Sequence, residues 1–191
     1  MSEEQVRVER TLGSWRRIET WLKQHVPRAW QRLPEPATEE EILALERDLD
    51  LKIPADVRAF YLVRNGTGPA GDFNGSGGDA DPSGYIFTDY GIGPISQLSI
   101  WARNHFPPDI FEGTEFSPST RLLPLIVFDP DAWSMLFVDC TPGDGYGQLG
   151  WFGEASFPDM GLYPSFADYL LYASDALSAG RDMSHHRPEV R

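Results

Sequence analysis

The stretch ATEEEILALERDLDLKIPADVRAFYLVRNG, residues Ala37–Gly66, decides the fold. Thr38 followed by Glu39, Glu40 and Glu41 is a capping box. The threonine hydroxyl can accept from the third helical amide, while the Glu41 carboxylate reaches back to the amide of Thr38. Ile42, Leu45 and Leu49 then recur at helical spacing and mark a buried face. Pro54 opens a second helix, whose Val57, Phe60, Tyr61 and Leu62 or Val63 supply apolar contacts. Asn65-Gly66 ends it, because glycine tolerates the left-handed conformation at a helix C-terminus. Two capped helices in tandem are predicted.

Upstream, Val8, Leu12, Trp15, Ile18, Trp21 and Leu22 recur every three or four residues. They predict an amphipathic helix over Val8–Val26, with Arg7, Arg16, Arg17 and Lys23 on its wet side. Pro27 is its stop, and a turn-rich linker with Pro34 and Pro36 follows. Downstream, residues 66–84 are rich in Gly, Asp and Pro and read as a long surface loop. Tyr85-Ile86-Phe87 reads as a short strand. Ile95–Ala102 is ambiguous between a strand with a turn and a short helix, and 104–120 looks irregular.

The β pattern strengthens after that. Leu122–Phe128 is a strand run interrupted by Pro124, which implies an edge or a bulge. Ser134–Cys140 and Gln148–Phe152 are two further strands, set off by Asp129-Pro130-Asp131 and Pro142-Gly143-Asp144-Gly145. Short turns between consecutive strands imply antiparallel pairing. Pro164-Ser165 starts a last helix, with Ser165 and Asp168 as a second capping box and Phe166, Tyr169, Leu170, Ala173 and Leu177 facing inward. Helices, a strand meander and a helix together describe an α+β domain. One domain is expected over 1–180, with 181–191 as a disordered tail.

Charge narrows the function. Formal net charge is −13 over 191 residues, unevenly placed. Residues 1–32 carry seven Lys/Arg against four Asp/Glu, a balance of +3; residues 33–180 carry six against 23, a balance of −17. Such an acidic body repels nucleic-acid phosphates and attracts a basic protein surface. No run of about 18 apolar residues exists to span a membrane, and the charged N-terminus has no signal-peptide core. Cys140 is the only cysteine, so no intrachain disulfide forms. A reducing, cytoplasmic setting is expected.

At this point the ordered segments resemble the SUKH superfamily. They are the Ala37–Gly66 helices, RLLPLIVFD, MLFVDCTPG, GQLG and the PSFADYLL helix start. Yeast Smi/Knr-type cell-wall regulators and many bacterial immunity proteins belong to that superfamily. The resemblance covers roughly residues 12–178. It implies an α+β fold with a curved, largely antiparallel sheet packed by N-terminal helices and a C-terminal helix. For bacterial members it implies immunity proteins that bind and neutralise a cognate toxin, often a nuclease. It carries no catalytic motif, and this chain departs from it in the Gly-rich insert 67–84 and in 103–120.

The residues themselves suggest little chemistry. Glu39–Glu41 are accounted for by the helix dipole. Asp72-Phe73-Asn74-Gly75-Ser76-Gly77 matches the first half of a calcium loop, but Ser83 stands where a bidentate glutamate is needed. Cys140, His25, His105, His185 and His186 lack metal-ligand spacing. No catalytic residue, metal or cofactor is assigned. Trp15, Trp21, Phe60, Phe166 and Tyr169 fit core stripes. Trp133, in the middle of a hairpin, fits an exposed partner anchor, and Trp101 and Phe106 precede an irregular segment. The expected function is therefore protein binding, with an immunity protein facing a basic toxin domain as the first reading. A regulatory scaffold for endogenous proteins is the second, and a metal-dependent hydrolase the third. Candidate contacts, chosen on predicted turns and loops, are Asp72, Asp79, Asp81, Asp129, Asp131, Trp133 and Asp144.

Overall fold

The structure, a computed structural model, describes residues 1–67, 91–111, 116–117, 119–128, 133–153 and 156–181. Helix α1 runs over Glu3–His25, five residues earlier than the apolar stripe predicts. The reason is local: Ser2 accepts from the Gln5 amide while the Gln5 side chain accepts from the Ser2 amide, a capping box that overrides the polar composition of the first turn. Pro27 ends α1 and also starts the short helix α2 (Pro27–Gln31), where its missing N–H costs nothing. The Thr38 capping box opens α3 (Glu39–Leu49) as expected. The Thr38 amide and hydroxyl hold the Glu41 carboxyl below its ordinary range.

Helix α4 (Ala55–Tyr61) stops sooner than the Asn65-Gly66 signal indicates. That pair has another task. Gly66 adopts φ +83°, and a Cβ there would sit 2.5 Å from the carbonyl oxygen of Ile92. The bare glycine lets Thr67 donate to Ile92 O at 2.9 Å. Asn65 Oδ1 accepts from the amide of Ile95 at 2.8 Å, satisfying the first turn of the next helix. That helix, α5 (Ile95–His105), settles the ambiguous segment as helical, and a 3-10 turn follows at Pro108–Phe111.

Among the described residues, five strands form an open sheet in sequence order, every pair antiparallel. They are β1 (Gly91–Ile92), β2 (Leu122–Val127), β3 (Ser134–Asp139), β4 (Leu149–Gly153) and β5 (Asp159–Tyr163). Two of them, β1 and β5, go beyond the strands read from sequence. β1 is two residues long, and β5 is largely exposed with Gly161 at φ +73°, so neither has an alternating pattern to read. The register shifts between Pro124 and Ile126, placing the proline at a bulge, and all six β2 residues are buried. The predicted loop 67–84 beyond Thr67 and the strand at Tyr85–Phe87 lie outside the described residues, as does the tail beyond Arg181.

Helix α6 (Phe166–Ser178) closes the fold against α1. Ser165 accepts from the Asp168 amide, but Asp168 Oδ2 accepts from the Ser165 hydroxyl rather than from a backbone amide. Aspartate is a methylene shorter than the glutamate of a full capping box. The same carboxylate pairs with Arg10, and Arg17 pairs with Asp175 one heptad further along both helices. The pairing order shows that α1 and α6 run parallel. Phe60 joins the helices: its ring lies 4.9 Å from Trp15 on α1 and 5.5 Å from Phe166 on α6, edge to face in each case. The core gathers residues from Trp15 in α1 to Leu177 in α6 into one cluster.

Candidate functional site

A cleft of about 480 Å³ lies where three separated segments meet. The C-terminal turn of α3 and the link to α4 supply Glu46, Asp50, Leu51 and Lys52. Arg121 enters from the residue before β2, and Cys140, Pro142, Gly143 and Tyr146 come from the end of β3 and the β3–β4 turn. Asp50 caps α3 in the left-handed conformation at φ 50°, which turns its carbonyl and carboxylate outward. Both meet Arg121: Nε donates to Asp50 O, and Nη2 donates to Asp50 Oδ2, each at 3.2 Å.

Glu46 is buried on the cleft's helical wall. Its Oε1 accepts from the Ile53 amide at 3.0 Å and its Oε2 from Lys52 Nζ at 3.1 Å, with Arg58 Nη1 3.6 Å away. Tyr146 donates to Lys52 O at 3.3 Å and so ties the turn to the α3–α4 link. Burial pushes the Cys140 thiol well above its ordinary range, with the charges of Asp139, Glu46 and Asp56 adding to it. Burial likewise pushes the Tyr146 phenol up to about 12. At neutral pH the cleft therefore holds a protonated thiol and a protonated phenol, and both side-chain oxygens of Glu46 are occupied. None of the three is a ready nucleophile or base.

Two of the sequence-derived contact residues are described, and they do not cluster. Trp133 precedes β3 and Asp144 follows it, so a six-residue strand, about 20 Å long, stands between them. Trp133 is 52% exposed, with its ring edge to face against His105 at 5.6 Å. Asp144 is exposed in the turn whose neighbours Gly143 and Tyr146 wall the cleft, and its carboxylate makes no ion pair among the described residues. Asp72, Asp79, Asp81, Asp129 and Asp131 lie outside the described residues, as does the calcium-like segment 72–83. Among the described residues no three His, Cys, Asp or Glu side chains are grouped to hold a metal ion, and no helix is long and apolar enough to cross a membrane.

Trp101 and Phe106, which the sequence placed before an irregular segment, are core residues: 5% and 9% exposed. They sit on α5 and at its C-cap, and the helix turns their rings into the core, where Phe106 meets Phe137 of β3 and Phe152 of β4. Sequence reasoning missed Glu46, Asp50, Lys52, Arg121 and Tyr146. The one local signal was Asp50, a short polar side chain at a helix end. Its contact with Arg121 spans 71 positions and has no local trace.

An open antiparallel meander with helices from both ends of the chain defines an α+β domain of the SUKH type. The model of the SMI1 / KNR4 family (SUKH-1) matches residues 36–172, well over half of the chain, and the chain belongs to that family. It is 35% identical over 71 residues to a KNR4/SMI1 homolog of Kluyveromyces lactis, covering 37% of this chain and 13% of that protein. A KNR4/SMI1 homolog of Yarrowia lipolytica is 38% identical over 74 residues, 39% of this chain and 9% of that one. The Saccharomyces cerevisiae protein named cell wall assembly regulator SMI1 is 33% identical over 75 residues, 36% of this chain and 15% of that protein. The chain thus spans less than a fifth of the length of the curated relatives it matches.

Proposed function

We propose that this chain is a non-catalytic protein-binding module whose acidic body docks a basic surface on another polypeptide. The balance of −17 over residues 33–180 carries this reading. A field of that sign raises the encounter rate with a basic partner that approaches the acidic body. Trp133 supplies an exposed apolar anchor at one end of β3, and Asp144 with the cleft supplies polar contacts at the other. The remaining candidates, Asp72, Asp79, Asp81, Asp129 and Asp131, add to the acidic field. The core that runs from Trp15 to Leu177 supports treating 1–180 as one docking unit, and the lone buried Cys140 supports a reducing, cytoplasmic setting.

Two finer readings share this mechanism. A regulatory module acting on proteins of its own cell is supported by the name of the Saccharomyces cerevisiae relative. An immunity protein that covers the substrate-binding surface of a basic toxin is supported by the acidic excess. Affinity capture from the native host, with identification of what is retained, tests the shared claim. A basic polypeptide released by raised salt is expected; recovery of no polypeptide contradicts the proposal. A toxin encoded in the adjacent gene, with rescue on co-expression, selects the immunity reading. Several retained host proteins without such a neighbour select the regulatory one.

A further inference from the structure

A second hollow, of about 340 Å³, runs between α1 and the end of α6, lined by Arg16, Arg17, Thr20, Trp21, Gln24 and Ser178. Its charge is opposite to that of the body. From Arg10 to Arg32 the chain holds six Lys/Arg and one acid, Glu19, whose carboxylate is bound to Arg64 at 2.7 Å. Arg17 is held in place by Asp175 at 2.6 Å, whereas Arg16 is exposed and makes no ion pair among the described residues. All six lining residues lie outside the family-matched segment 36–172.

We infer that this α1–α6 groove docks an acidic peptide segment of a partner protein. Its carboxylates would meet Arg16 and Arg17, with a neighbouring apolar side chain on Trp21. Hydrogen-bond polarity favours a peptide over a lone oxyanion. Thr20 Oγ1 donates to Arg16 O at 2.8 Å and Ser178 Oγ donates to Ser174 O at 2.7 Å, so both hydroxyls present acceptor lone pairs to the groove. Peptide N–H groups match those acceptors; a sulfate, itself all acceptor, does not. The arginines and Trp21 occupy a stretch of α1 about 12 Å long from Arg16 to Gln24, at about 1.5 Å per residue, which suits an extended segment. A long polyanion such as nucleic acid is disfavoured more than a short acidic segment, because it would extend over the −17 body beside the groove. This site is independent of the acidic docking face, and its failure would leave that proposal standing.

The test uses the full chain and a fluorescein-labelled peptide with a central leucine between two pairs of glutamates, read by anisotropy. A matched peptide with lysine for glutamate is the control. Saturable binding of the acidic peptide is expected, weakening by about tenfold between low and moderately high salt. Arg16→Glu should weaken it by about tenfold, and Arg16→Lys should retain most of it. Amide NMR shifts should concentrate at Thr20–Gln24. Arg16 is exposed and unpaired among the described residues, so an unchanged circular dichroism spectrum should accompany both variants. No saturable binding, equal binding of the lysine peptide, or indifference to Arg16→Glu would overturn the inference. Tighter binding of single-stranded DNA at the same residues would overturn it too.

Discussion

Asp56, in the first turn of α4, accepts from the backbone amide of Ala167, in the first turn of α6, at 3.1 Å across 111 positions. Its other oxygen accepts from the amide of Val57 at 3.0 Å. One buried carboxylate thus serves the first-turn amides of two helix starts and fixes α4 against α6, the pair that meets at Phe60. Desolvation raises its pKa above the ordinary 3.8, and the Ala167 and Val57 amides only partly offset that.

The sign of the pH effect follows. A raised native pKa means that the folded state holds the proton to higher pH than the unfolded chain does. The contribution of Asp56 is therefore fully present below pH 3.8 and falls as pH rises through the native pKa. Asp56→Ala should destabilise the protein by about 1–3 kcal/mol, with the larger penalty at the acid end. Urea unfolding of both proteins at pH 3.5 and pH 7 checks this, and a penalty that grows toward neutral pH would refute it.

Glu46 anchors the α3–α4 link through the Ile53 amide and Lys52. Glu46→Ala should cost about 2–3 kcal/mol, since it leaves the buried Ile53 amide without its acceptor. Lys52 is 76% exposed at its side chain, so Lys52→Ala should cost no more than about 1 kcal/mol. Denaturant midpoints of the two variants give the comparison.

Gly66→Ala should destabilise by more than about 1 kcal/mol, because the substitution adds a Cβ at φ +83° against Ile92, Gly93 and Pro94. Hydrogen exchange should locate the loss at the Thr67 and Ile92 amides, which bond across this crossing.

Trp133 and Trp101 separate docking from packing. Trp133→Ala should leave the unfolding midpoint nearly unchanged and weaken partner capture, because about half of the side chain faces solvent. Trp101→Ala should cost about 3–5 kcal/mol through the cavity it leaves. Thermal unfolding and capture run side by side distinguish the two.

How far the sequence could be read depends on how local each cause is. The Thr38 box, the α3 stripe, the strands β2, β3 and β4 and the α6 start are set by neighbours within about four positions, and all form within a residue of where their patterns put them. β1 escaped because two residues carry no period; it exists through Gly66, Thr67 and β2. Asn65-Gly66 reads locally as a helix stop, yet its role is a contact with residues 92–95 that only the folded chain creates. The cleft was invisible for the same reason, since Arg121 and Asp50 lie 71 positions apart and meet only in the folded chain. For the contact residues, turn chemistry marked Trp133 and Asp144 as exposed, and both are. It carried no information on their separation, because that is the length of β3.

The central claim is that charge on the body brings in a basic partner. Its most direct measurement is the association rate constant with the captured partner as ionic strength rises. A fall of at least about tenfold from low to physiological salt is expected, with a further fall for Asp144→Lys and little change in dissociation. A rate indifferent to salt and to Asp144→Lys would contradict the account.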